Sequence, residues 1–380
     1  MFKSIKLNYC AVCLLLATGF YLSADVRAAE IKSDETAASQ NATVVESKED
    51  SAEHKLITQY LETQQFDKAL PIIKKCAEAG DAVAQEILAQ FYFKGIATER
   101  DIDKALVWLN KAAEQGYNEA EYELGQIYDL NEIVPRNPKT AMYWLERSAA
   151  HGHAVAQFVA GMHCINGDGV EENAKQAVTY YRMAAENGFP VAQLALAECY
   201  IDGLGVEKNG PEAIKWFTKA AENGNVDAQV KLGIYYNVGI DSVEPDLERG
   251  AYWLSKAAEQ KDSNALFMLG VSYQHGRGVK ADGAKALALY TEAASHGDAV
   301  AGKALRCMAL CFYKGVGTKA DRAKAVELFR QAADHEDKIA QACLAYCLMN
   351  GIGKEKNEEE AADWLVESGF DKVLDPNQAN

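Results

Sequence analysis

Beyond its first two dozen residues, the 380-residue sequence has no apolar run long enough to cross a bilayer, so no membrane insertion is expected of the mature chain. It is also short of positive charge, with 39 Lys and Arg against 55 Asp and Glu and a net charge of −16. Nucleic acid and anionic lipid both demand clustered basic residues that displace counterions, so neither is expected as a partner. The familiar catalytic signatures are missing too. Ser-x-x-Lys and Gly-x-Ser-x-Gly do not occur, and His335-Glu336 is not completed to His-Glu-x-x-His. On these grounds neither an enzyme nor a cofactor is expected.

The amino terminus reads as a secretory signal. Lys3 and Lys6 precede an apolar stretch from Leu7 to Leu22, and Val26-Arg27-Ala28 offers the small residues a signal peptidase accepts. Cleavage after Ala28 is expected, with an uncleaved anchor as the alternative, and the mature chain is expected to be exported, periplasmic or secreted. Residues 29–53 are rich in Ala, Ser, Thr, Glu and Asp, without aromatic residues or apolar periodicity, and read as a disordered linker.

From Asp81 to Gly369 the sequence repeats itself about every 36 residues. One marker is a pair of alanines followed shortly by glycine: Ala112-Ala113 before Gly116, Ala149-Ala150 before Gly152, Ala184-Ala185 before Gly188, Ala220-Ala221 before Gly224 and Ala293-Ala294 before Gly297. Lys261 and Glu336 replace that glycine in two later repeats. A second marker is Gly-x-Gly, at Gly167, Gly203, Gly276, Gly315 and Gly351. A third is Leu-Gly followed by tyrosine, as in Leu124-Gly125 with Tyr128 and Leu232-Gly233 with Tyr235 and Tyr236. Apolar residues around both alanine and Leu-Gly markers recur at helical spacing, which predicts two short amphipathic helices per repeat joined by a glycine loop. A lone hairpin of that size leaves apolar surface in water, so each must stack on its neighbours.

The boundaries predict eight repeats: 81–116, 117–152, 153–188, 189–224, 225–261, 262–297, 298–336 and 337–369. Residues 54–80 are expected to form a capping hairpin, with Phe66, Ala69, Ile72, Ile73 and Ala77 on one face, and 370–380 a tail. In repeats 2 and 5 the segments Leu130 to Pro138 and Ile240 to Pro245 replace Gly-x-Gly, which predicts projecting loops.

Other residues invite chemical readings. Gly-x-Gly follows a helix and is never extended to Gly-Lys-Ser/Thr, so it is a hinge rather than a phosphate cradle. The cysteines beyond the signal are Cys76, Cys164, Cys199, Cys307, Cys311, Cys343 and Cys347, an odd set. Buried small apolar residues, cross-repeat disulfides and a metal site all stay open for them. His151, His153 and His163 beside Cys164 lack the tight paired spacing of zinc ligands and read as surface histidines. Trp108, Trp144, Trp216, Trp253 and Trp364 share one position of the second helix, which marks them as packing residues.

Taken together, Ala-x-Ala-Gln, Leu-Gly-x-x-Tyr, Gly-x-Gly-Val, Lys-Ala and Lys-Ala-Ala-Glu-x-Gly resemble the Sel1-like repeat, a relative of the tetratricopeptide repeat. The resemblance implies an all-α, right-handed α-solenoid whose members act as protein-binding scaffolds. Some members of its cysteine-rich branch are linked to β-lactam binding or hydrolysis, so a hydrolase of cell-wall or β-lactam substrates is the alternative; the cysteine spacing of that branch is absent here. The resemblance also implies that the first helix of each repeat lines a concave groove. Positions three before and one after the small residue of Leu-Gly then face a protein or peptide partner: Tyr122, Gln126, Phe158, Met162, Leu194, Glu198, Val230, Ile234, Phe267, Val271, Arg306, Leu310 and Tyr346, with Ala342 at the last repeat. Most are apolar, as a groove for a peptide or helix requires.

Overall fold

The computed structural model describes residues 52–370 and 374–377. The signal segment, nearly all of the linker and part of the tail lie outside the described residues. Among those described there are eighteen α-helices and no strand. The capping hairpin is α1 (Ala52–Glu62) and α2 (Phe66–Glu78). The first helices of the eight repeats are α3 (Ala82–Lys94), α5 (Asn118–Leu130), α7 (Ala154–Asn166), α9 (Pro190–Asp202), α11 (Val226–Val238), α13 (Ser263–His275), α15 (Ala301–Lys314) and α17 (Lys338–Met349). Their second helices are α4 (Ile102–Glu114), α6 (Pro138–Ala150), α8 (Ala174–Glu186), α10 (Gly210–Glu222), α12 (Leu247–Glu259), α14 (Gly283–Ser295), α16 (Arg322–Asp334) and α18 (Glu358–Ser368).

The chain divides into two compact bodies. One runs to Ala192 and takes in Leu204–Val206; the other comprises Gln193–Gly203 and the chain from Glu207. In the first, consecutive helices from α1 to α8 pack on one another, and in the second those from α10 to α18 do. Each is an all-α stack of hairpins, as the period predicts. The capping hairpin joins the first stack through Ile57, Ala69, Ile73 and Ala77, which pack with Leu88 and Phe91 of α3.

Helix boundaries follow from local chemistry. Every second helix starts at an Asp or Asn whose side chain accepts an amide one turn in, from Asp101, which takes the Lys104 N–H, to Asn357, which takes that of Glu360. Each such cap is worth ~1 kcal/mol. The same residue closes the loop before it, because its own N–H donates to a carbonyl near the end of the first helix. Asn173 donates to Cys164 at 2.8 Å and Asp321 to Phe312 at 2.8 Å.

That bond corrects the expectation for repeats 2 and 5. Their loops do not project, for Asn137 donates to Tyr128 at 2.7 Å and Asp246 to Tyr236 at 2.7 Å, the same closure without Gly-x-Gly. In repeat 2 the left-handed turn falls on Asn131, at φ 54°, instead of glycine. In repeat 5, Ile240 and Val243 form an isolated antiparallel bridge that completes the bend.

The small residue of Leu-Gly permits close approach between the two helices of one repeat. A Cβ on Gly161 would lie 2.6 Å from the ring of Tyr181, and one on Gly270 the same distance from Tyr290. Both tyrosines are wholly buried in consequence. Among the tryptophans, Trp144 and Trp216 are buried, whereas Trp108, Trp253 and Trp364 are half-buried. Lys111 and Lys219 lie over Trp108 and Trp216, so this position lies at the edge of the core.

Candidate partner-binding site

Register along the first helices decides which side chains remain in reach of a partner. The glutamine of Ala-x-Ala-Gln is buried and spent on the joint with the preceding repeat: Gln157 Nε2 donates to Ala149 O at 3.0 Å. The positions one and five residues further on are those expected to face a groove, and the structure divides them.

In the first body, Tyr122 and Gln126 are half-buried and bonded together, Gln126 Nε2 donating to Tyr122 Oη at 2.7 Å. The Tyr122 ring stacks on His153 with centroids 4.4 Å apart. Tyr122 and Gln126 line a small open cleft, with Gly125, Asp129, Leu130, Leu145 and Val159 as its other walls. Phe158 and Met162 are buried instead, at 4% and 6% exposure. Phe158 is held between Tyr181 and Phe189, each with its ring centroid 5.5 Å away. It is therefore a packing residue.

In the second body, Leu194, Glu198, Val230, Ile234, Phe267, Val271, Arg306 and Tyr346 are half-buried, while Leu310 and Ala342 are buried. The charged members are paired across repeats. Glu198 meets Lys231 at 3.0 Å, and Arg306 Nε meets Asp337 at 3.1 Å. Burial pulls the pKa of Lys231 down, but the charge and hydrogen bond of Glu198, with Tyr235 and Asp227 nearby, together more than reverse it, so the net shift is upward. Phe267 leans on Tyr290, with ring centroids 5.9 Å apart. Leu194, Val230, Ile234 and Val271 are left as the half-buried aliphatic residues of this face.

Behind the cleft of the first body lies a polar cluster that sequence reading missed. His163, expected at the surface, is fully buried. Its Nε2 lies 3.4 Å from Asp129 Oδ2, and its Nδ1 is 2.9 Å from the carbonyl of Asp168. Arg136 bridges the two aspartates, 2.8 Å from Asp129 Oδ1 and in contact with the Asp168 carboxylate. Asp129, His163 and Asp168 would suit a cation, and the guanidinium of Arg136 supplies that charge. Desolvation pulls the His163 pKa down, but the hydrogen bond and charge of Asp129 and the nearby Asp168 more than reverse it, so the net shift is upward. The available signal was Asp168 between the glycines of one repeat, with Asp129 just before and Arg136 within the altered loop of the repeat before it.

All seven described cysteines are buried and free of disulfides. Burial drives their thiols up, to about 12 for Cys199, Cys343 and Cys347. They are apolar packing residues with little thiolate character. Among the described residues no helix is long and apolar enough to cross a membrane.

The Sel1 repeat family model matches eight times, at residues 82–117, 118–153, 154–189, 190–225, 226–262, 263–298, 303–337 and 339–367. The chain belongs to the Sel1 repeat family. Solved Sel1-type structures agree. A protective antigen present in uropathogenic Escherichia coli strains, displaying an SLR fold, is 33% identical over 79% of this chain, with a TM-score of 0.71. This chain spans 64% of that protein's length. A Sel1 repeat protein from Oxalobacter formigenes is 27% identical, with a TM-score of 0.61, and the match covers 88% of this chain and 95% of that one. No curated protein matches the chain. Sel1 repeats generally serve as protein–protein interaction scaffolds and are typically non-enzymatic.

Proposed function

We propose that this Sel1 repeat chain is an exported, non-catalytic scaffold, periplasmic or secreted, that holds a partner protein against the first helices of its repeats. The observation that carries this reading is the half-buried aliphatic set Val230, Ile234 and Val271. These side chains recur at the repeat period on helices whose other faces are consumed by packing, and they keep apolar surface available to a ligand. The export signal of residues 1–28 supports the location, and the acidic balance argues for a protein surface rather than nucleic acid.

The test replaces Val230, Ile234 and Val271 together with lysine and compares the variant with Tyr252→Lys on the outer face of α12, where Tyr252 is 53% exposed. Partner recovery from envelope and secreted fractions is quantified by affinity capture and mass spectrometry. A species held by the native chain and by Tyr252→Lys is expected to be lost from the triple variant, with helicity unchanged. Equal recovery by all three would end the reading. Absence of covalent labelling by a fluorescent β-lactam is the matching expectation for a non-catalytic chain.

A further inference from the structure

The segment that follows α18 turns back onto the first helix of the eighth repeat. The Leu374 N–H donates to the Ala342 carbonyl at 3.4 Å. Leu374 packs against the core that contains Cys343, Leu344 and Cys347, and Pro376 is buried. The Asp375 carboxylate lies beside Tyr346, where desolvation and then that charge raise the tyrosine's pKa. Ala342 and Tyr346 are the eighth-repeat members of the proposed partner face. The covering segment is non-helical, in keeping with Pro376.

We propose that Leu374–Asn377 occupies the partner face of repeat 8 in cis, and that a partner inserts there a non-helical segment of the same chemistry, an apolar side chain followed by a carboxylate. This rests on the reading of the first helices as the binding face. The apolar edge of α17 accommodates the leucine, and the Tyr346 hydroxyl is the donor beside the carboxylate. Because the segment is tethered a few residues from the end of α18, it competes at high effective concentration, and a free peptide meets a site already filled.

The experiment uses the full chain and the full chain carrying Leu374→Ser with Asp375→Ala. A fluorescein-labelled peptide with the sequence of residues 370–380 is the probe, read by anisotropy. The variant is expected to bind it saturably and the native chain about tenfold or more weakly. Peptides carrying either substitution are expected to lose binding. No binding by the variant, or equal binding by both chains, would overturn the proposal and leave the segment a structural cap. If the double variant loses helicity, Asp375→Asn alone carries the same comparison. Failure here leaves the broader reading to the lysine variants at Val230, Ile234 and Val271, which lie in other repeats.

Discussion

Gln229 reaches across a repeat boundary to Ala221: its Nε2 donates to that carbonyl at 3.0 Å, while its Oε1 accepts from Gln260 Nε2 at 2.9 Å. The same clamp joins other repeats. Gln85 takes Ala77 and Gln115, and Gln157 takes Ala149 and Asn187. Repeat 2 runs a charged version. Glu121 replaces the glutamine and pairs with Arg147 at 2.9 Å and His151 at 2.7 Å, and Arg147 itself donates to Ala113 O at 3.1 Å. The acceptor carbonyl is kept while the donor moves to the other helix.

Removing the clamp leaves buried main-chain and amide groups without partners. Gln229→Leu is expected to cost about 1–3 kcal/mol in urea unfolding. The exposed control Lys256→Ala should lie within ~0.5 kcal/mol of the native chain.

The two kinds of groove position should separate under alanine substitution. Phe158→Ala removes a buried ring and is expected to cost roughly 3–5 kcal/mol, whereas Val271→Ala, half-buried, should cost about 1 kcal/mol or less. Denaturation midpoints measure both. Equal costs would make Val271 core and remove it from the partner face.

His163 gives a pH dependence whose sign follows from its raised pKa. The protonated ring is favoured in the folded chain, so its contribution is complete below the ordinary histidine value of ~6.5 and is lost as pH rises through the higher folded value. The stability advantage of the native chain over His163→Leu should therefore be largest near pH 6 and shrink toward pH 8.5. An advantage that grows with pH would show the ring to be held neutral.

Thiol accessibility supplies a further check. Cys164, at about 11, and Cys199, at about 12, are buried thiols. Native protein is expected to react with a thiol reagent at pH 8 far more slowly than denatured protein, which should release the full set of free cysteines.

Much of the architecture was legible because it rests on spacing. The alanine pairs and the Leu-Gly glycines recur with the period, and each has one physical use wherever it falls. The polar cluster was not legible. Asp129 and His163 belong to different repeats, and only the stacking of α5 on α7 through α6 brings their side chains together. Face assignment failed in part for a related reason. Phe158 and Val230 share a helical position, but Phe158 meets the rings of Tyr181 and Phe189, so it is buried while Val230 keeps surface. The loops of repeats 2 and 5 were misjudged because closure depends on the capping residue's N–H rather than on the glycines.

In each glutamine clamp, the side chains come from one repeat and the neighbour contributes only a main-chain oxygen. Such a joint does not read its neighbour's side chains. A duplicated or deleted whole repeat meets the same acceptor it left, so these arrays are free to change length in steps of one hairpin without redesigning the junction. Pairs such as Glu198 with Lys231 behave differently, since they match side chains of two particular repeats and would be broken by the same event.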